Sequence, residues 1–194
     1  MKRLDQFNRV TFGNWETAGD DTQFRVEAEG NRAILLFQCS MSDTDWKYNF
    51  DFPPRLYKDS PNPWRILGGF KRVWRACQEK IMAKVRDADS LTTIGYSHGA
   101  VLAALALEDW DYSVKKNPAE AVVFGCPRFA FLPTREIQSR FSRLTRVEIR
   151  GDLVANLPPP LGFRHVGHVE RYGPWLPIPL PSRHQPESYR KWLS

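Results

Sequence analysis

The stretch that decides the fold is Leu91-Thr92-Thr93-Ile94-Gly95-Tyr96-Ser97-His98-Gly99-Ala100-Val101-Leu102-Ala103-Ala104-Leu105-Ala106. Residues 91–95 read as a buried strand, and 100–108 as a helix driven by alanine and leucine propensity. Between them Gly95-Tyr96-Ser97-His98-Gly99 has the G-x-S-x-G spacing of a nucleophile elbow. The turn from strand to helix is so sharp that small residues must flank the serine. The serine is lifted above the sheet edge at a helix N-terminus, where amides and the helix dipole favour developing negative charge. Chance alone, given 12 glycines in 194 residues, produces about 0.04 such matches per chain. The strand before and the helix after are the context the motif requires.

Outward from the elbow, residues 33–37 (Ala-Ile-Leu-Leu-Phe) and 121–124 (Ala-Val-Val-Phe) are continuous apolar runs. Such runs suit strands covered on both faces. Phe70, Val73, Trp74, Cys77, Ile81 and Val85 recur at three- and four-residue steps and predict an amphipathic helix over 69–86. A short helix is expected over 134–141, strands over 146–149 and 163–172, and a closing helix over 186–193. Strands alternating with helices imply a mostly parallel central sheet with helices on both faces.

A serine hydroxyl is a poor nucleophile until a base takes its proton, and the base needs an acid to orient it. In this architecture the acid and base follow the serine in that order. Asp152, in Gly151-Asp152-Leu153-Val154 after the 146–150 strand, falls on the same rim as Ser97. Asp109 and Asp111 end the elbow helix and point away. Four histidines compete for the base. His98 neighbours the serine and cannot fold back onto it. His184 lies in a loop just before the last helix and can hang over the rim, so it is preferred. His165 and His168, in the 163–172 strand, stay open as alternatives. A tetrahedral oxyanion needs two donors. The His98 amide supplies one. Ser40, after the 33–37 strand, is the natural source of the second.

These residues resemble the class 3 (fungal-type) lipases of the α/β-hydrolase fold. The blocks that carry the likeness run in family order. They are Phe37-Gln38-Cys39-Ser40, Asp45-Trp46, Leu67-Gly68-Gly69-Phe70, the elbow, Phe124-Gly125-Cys126-Pro127-Arg128, Gly151-Asp152 through Pro159, Phe163-Arg164-His165-Val166-Gly167, and His184 with Tyr189. The resemblance implies an α/β-hydrolase domain over 1–194. It implies a Ser97–Asp152–His184 triad, with Ser40 and His98 as oxyanion donors. It further implies a serine ester hydrolase, lipase- or esterase-like, acting on an acyl ester with no metal or organic cofactor. Phospholipase A1 or thioesterase action is the alternative within that chemistry. A catalytically silent module that binds anionic surfaces is the alternative outside it. Gln38-Cys39 stands for the family's Arg-Gly, Leu67 for a histidine, and Tyr96 and His98 for the usual neighbours of the serine. The chain is also shorter than secreted members, which implies a reduced acyl groove.

The segment 41–64 carries Trp46, Tyr48, Phe50, Phe52, Tyr57 and Trp64. It reads either as a lid over the pocket or as a loop anchored on the core by its aromatics. The stretch 174–180 reads as an acyl-pocket wall or as plain packing.

Composition bounds the partners. The 194 residues suit one domain with a real core. The most apolar run, 100–107, is too short to span a bilayer. Lys and Arg number 28 against 22 acids, a net charge of +6, which favours contact with an anionic lipid surface. The basic residues are scattered, densest at Lys71, Arg72 and Arg75, and no nucleic-acid signature accompanies them. Cys39, Cys77 and Cys126 have no metal-ligand spacing. A sparse, odd set of thiols and an N-terminus without an apolar signal core lead us to expect a cytoplasmic setting, with release by a non-classical route left open.

Overall fold

In the computed structural model the described residues are 2–19, 21–38, 53–57, 63–111 and 119–194. Their central feature is a seven-stranded sheet in the order β1-β2-β3-β6-β7-β9-β11. Its strands are β1 (Glu16–Ala18), β2 (Thr22–Glu29), β3 (Arg32–Phe37), β6 (Ser90–Tyr96), β7 (Ala119–Phe124), β9 (Leu144–Ile149) and β11 (His168–Tyr172). The pairs β3·β6, β6·β7, β7·β9 and β9·β11 are parallel, and β2 is antiparallel to both its neighbours. Parallel neighbours all end at one edge, which is why residues just past β6, β7, β9 and β11 can meet.

The period-two alternation of each central strand feeds two cores. Ala33, Leu35 and Phe37 join Leu91, Ala121 and Val123 on one face, beneath α2 (Gly68–Val85) and α3 (His98–Asp109). Ile34, Leu36, Ile94, Tyr96, Val122, Phe124, Val147 and Ile149 point to the other. There they meet Phe7 of α1 (Arg3–Arg9) and Tyr189 of the closing helix (Pro186–Leu193), which follows α4 (Arg135–Arg140) in the chain. The elbow helix α3 is buried all round, which explains its alanines: only small side chains let a helix pack so closely on a sheet. Fully burying each of its leucines contributes about 1.5–3 kcal/mol relative to exposure.

A second, antiparallel sheet has the order β10-β8-β5-β4, from β4 (Pro54–Leu56), β5 (Arg65–Leu67), β8 (Ala130–Phe131) and β10 (Phe163–Arg164). Its Ile66, Ala130 and Phe163 belong to the same core as α2 and α3. This corrects the single strand expected over 163–172. Gly167 sits at φ +78° with Leu144 O only 2.6 Å from where a Cβ would lie. The chain kinks there, and β10 and β11 go to different sheets. Among the described residues no helix is long and apolar enough to cross a membrane.

Two described residues of the 41–64 segment behave as anchors. Tyr57 and Trp64 are 2% and 4% exposed, with ring centroids 5.0 Å apart. Tyr57 donates to Asp109 Oδ1 (3.2 Å) and Trp74 Nε1 donates to Oδ2 (2.8 Å). Asp109 is thus a packed acceptor at the far end of α3, consistent with its rejection as the triad acid. Trp46, Tyr48, Phe50 and Phe52 lie outside the described residues.

Candidate active site

Ser97 stands between β6 and α3 with φ +59° and ψ −121°, a conformation L-residues rarely adopt. Its N–H donates to Phe124 O (2.9 Å), which fixes the turn against the end of β7. The flanking glycines are sterically required. A Cβ on Gly95 would lie 2.1 Å from Gly99 O, and one on Gly99 would lie 2.4 Å from Gln38 O. The second contact also shows the end of β3 running directly against the elbow.

The Ser97 hydroxyl is 2.7 Å from His184 Nε2. His184 Nδ1 lies 2.9 Å from Asp152 Oδ2 and 3.0 Å from Oδ1. The carboxylate fixes the tautomer: Nδ1–H donates to Asp152, leaving Nε2 as the acceptor for the serine proton. Asp152 is fully buried, and further donors converge on it. The amides of Val154 (2.8 Å) and Ala155 (3.3 Å) reach Oδ1 from the 3₁₀ turn Val154–Asn156. The Tyr189 hydroxyl donates to Oδ2 at 2.6 Å. Burial first, and then the Asp152 charge, push the Tyr189 phenol well above its ordinary pKa, so it remains a donor.

His184 sits in the 3₁₀ turn Pro181–His184, tied to the acid's turn by a parallel bridge between Asp152 and Leu180. It is held from other sides as well. The Tyr96 ring stacks on its imidazole at 5.0 Å, and the Tyr96 hydroxyl donates to His184 O. Gly125, at φ +56°, leaves room for the ring: a Cβ there would be 2.7 Å from His184 Cε1. Beneath lies an aromatic cluster in which Phe7 packs on Tyr96 (5.2 Å), Phe124 (5.2 Å) and Tyr189 (5.1 Å).

The structure therefore brings together Ser97, Asp152 and His184. It does not bring His165 or His168 to the serine. His165 Nε2 faces Ala155 O at 2.9 Å, and His168 is exposed on edge strand β11. His98 contributes the first backbone amide of α3 after the serine, and its ring stacks on Phe70 at 5.4 Å. Ser40, the other expected oxyanion donor, lies outside the described residues. Sequence reasoning missed the roles of Tyr189, Tyr96 and Gly125 in holding the acid and base. The signal for Tyr189 was its place five residues after His184, in the last block of the family likeness. Among the described residues no three His, Cys, Asp or Glu side chains form a group able to hold a metal ion.

Most of the stretch 174–180 departs from the plain-packing reading. Leu176 turns inward, against Gly151, and Pro179 is half-buried, while Trp175, Ile178 and Leu180 are 73%, 68% and 42% exposed.

Comparison with known proteins bears on family and fold. A family model described as Lipase (class 3) matches residues 34–162. Among solved structures, the triacylglyceride lipase of Rhizomucor miehei superposes with a TM-score of 0.69 at 20% identity, covering 81% of this chain and 64% of that one. Lipase II of Rhizopus niveus gives 0.64 at 19%, covering 81% and 64%. A triacylglycerol lipase described as having a serine-protease triad at its catalytic centre gives 0.67 at 20%, covering 93% and 76%. At these identities the likeness speaks for the fold. The chain spans just under two thirds of the first of these enzymes. No curated protein matches it in sequence.

Proposed function

The chain belongs to the class 3 lipase family, whose model matches well over half of it, and from that premise we propose that it is a serine hydrolase of carboxylic esters. The observation that carries the proposal is the unbroken hydrogen-bond line from Ser97 Oγ through His184 to Asp152. In this reading His184 Nε2 takes the hydroxyl proton as Oγ attacks the ester carbonyl. Asp152 steadies the imidazolium that results. The His98 amide, at the start of α3, faces the oxyanion with the helix dipole behind it, and Ser40 is the proposed second donor. The leaving alcohol takes the proton from His184. Water then repeats the sequence on the acyl-enzyme, and His184 acts as its base.

The substrate class follows from family and charge. The favoured substrate is a lipid acyl ester, an acylglycerol or similar lipid, and the +6 net charge supports phospholipase A1 action on an anionic lipid as the second reading. A silent binding module is disfavoured, because nothing in binding requires a serine held in a strained turn at 2.7 Å from a tethered imidazole. A cytoplasmic setting belongs to the same reading, supported by Cys77 and Cys126 as buried free thiols. The test is hydrolysis of dissolved p-nitrophenyl butyrate by wild type and Ser97→Ala, followed by a chain-length and phospholipid panel. Ser97→Ala is expected to lose activity by on the order of 10⁴-fold or more. Equal turnover in the alanine variant, or a wild type inert on every ester, overturns the proposal.

A further inference from the structure

Single exposed apolar side chains need no explanation, but three on one short loop do. Trp175, Ile178 and Leu180 stand out from the loop between β11 and the His184 turn. Pro174, Pro177 and Pro179 fix the local φ, so the loop holds these side chains outward at little further entropic cost. It is also braced from within. Leu180 N–H donates to Gly151 O (2.8 Å), Arg150 Nη1 donates to Gly173 O (2.8 Å), and Leu176 packs against Gly151.

The base of the loop is cationic. Arg150 is exposed there. The Arg183 guanidinium lies 5.5 Å from the Trp192 ring and Lys191 Nζ lies 5.2 Å from it. Trp192 and Arg183 both come within 3.5 Å of the place a Cβ on Gly173 would occupy. The acids nearby are engaged: Glu170 with Arg3 (2.7 Å) and Glu187 with Arg190 (3.5 Å). Because β11 is parallel to β9, the loop leaves the sheet at the edge that carries Ser97 and Asp152. It then passes straight into the turn bearing His184.

An indole and an isoleucine projecting beyond a collar of Arg and Lys is the pattern that binds a lipid surface, with apolar groups at the headgroup–acyl boundary and cations at phosphate. The geometry points to loop 173–180 as the element that docks this protein on an anionic lipid bilayer, with the catalytic rim facing the lipid. This deepens the lipid-ester reading by naming the surface and the loop, and rests on that reading only for its purpose.

The experiment measures partition onto extruded vesicles of phosphatidylcholine alone and of phosphatidylcholine with phosphatidylserine at roughly two to one. The proteins are wild type, Trp175→Ser/Ile178→Ser and Arg150→Gln/Lys191→Gln. Hydrolysis of dissolved p-nitrophenyl butyrate is followed in parallel as a check of the fold. Wild type is expected to prefer the phosphatidylserine vesicles by roughly tenfold or more, and the serine pair to lower that partition by roughly tenfold. The glutamine pair is expected to remove the preference for phosphatidylserine. Both variant pairs should keep wild-type turnover of the dissolved ester within about twofold, since none of these side chains touches the triad. The inference is overturned if wild type ignores the anionic vesicles, or if both variant pairs bind them as wild type does. Loop-dependent binding by a wild type inert on every ester would sustain the docking surface and sink the ester-hydrolase reading, so the two fail separately.

Discussion

Acidification tests a histidine that the triad does not use. His165 is buried beside Arg146 and Arg128, and burial first, then those two charges, lower its pKa to about 3. Its Nε2–H donates to Ala155 O (2.9 Å), and Glu148 Oε1 lies 3.8 Å from the ring. The folded protein therefore keeps this ring neutral down to about pH 3, whereas the unfolded chain protonates it near pH 6.5. Between those values the unfolded state holds the extra proton, so stability falls as pH falls, by up to about 1.4 kcal/mol per pH unit. From neutrality to pH 4.5 the cost is roughly 2–3 kcal/mol, a large share of the 5–15 kcal/mol typical of a domain. Carboxylates titrate over the same range, so the informative quantity is a difference. His165→Gln retains an N–H for Ala155 O but cannot take up a proton. Urea unfolding followed by tryptophan fluorescence at pH 7 and pH 4.5 gives the stability of both proteins. The wild-type advantage over His165→Gln should shrink by roughly 2–3 kcal/mol at the lower pH. A gap that stays constant across the two conditions would refute the reasoning.

Two substitutions probe how the acid and base are held. Gly125→Ala combines a positive φ with a Cβ 2.7 Å from His184 Cε1. It should cut kcat/KM for a dissolved ester by about 100-fold while far-UV circular dichroism stays native. Tyr189→Phe removes the 2.6 Å hydroxyl donor from buried Asp152, and should cost about 1–3 kcal/mol in urea unfolding.

The central sheet was legible because its strands are buried on both faces and so appear as unbroken apolar runs, as in Ile34 to Phe37 and Ala121 to Phe124. The elbow was legible because sterics leave only glycine at 95 and 99. The antiparallel edge was not. In β2, Thr22 and Phe24 are buried and the rest of the strand is half-buried or exposed, so Arg25, Glu27 and Glu29 obscure its period. The second sheet was hidden for another reason: its strands are two or three residues long, and pairing across the fold defines them rather than local pattern. At the site, chain order and loop position singled out Asp152 and His184. The support around them was opaque. Tyr96, Tyr189 and Phe7 are far apart in the chain, and only tertiary packing stacks them under the imidazole. A buried tyrosine donating to a carboxylate has no sequence period of its own.

Tyr96 has a consequence for the second half of the proposed reaction. When Ser97 Oγ carries an acyl group it has no proton left to give, and the 2.7 Å link between serine and imidazole is severed. A ring held by that link alone would drift at the moment it must deprotonate water. Here the residue preceding the serine clasps the ring by its face and the same loop by its carbonyl. In the proposed reaction Tyr96, together with Asp152 at Nδ1, holds the imidazole beside the nucleophile through the interval when serine and histidine share no proton.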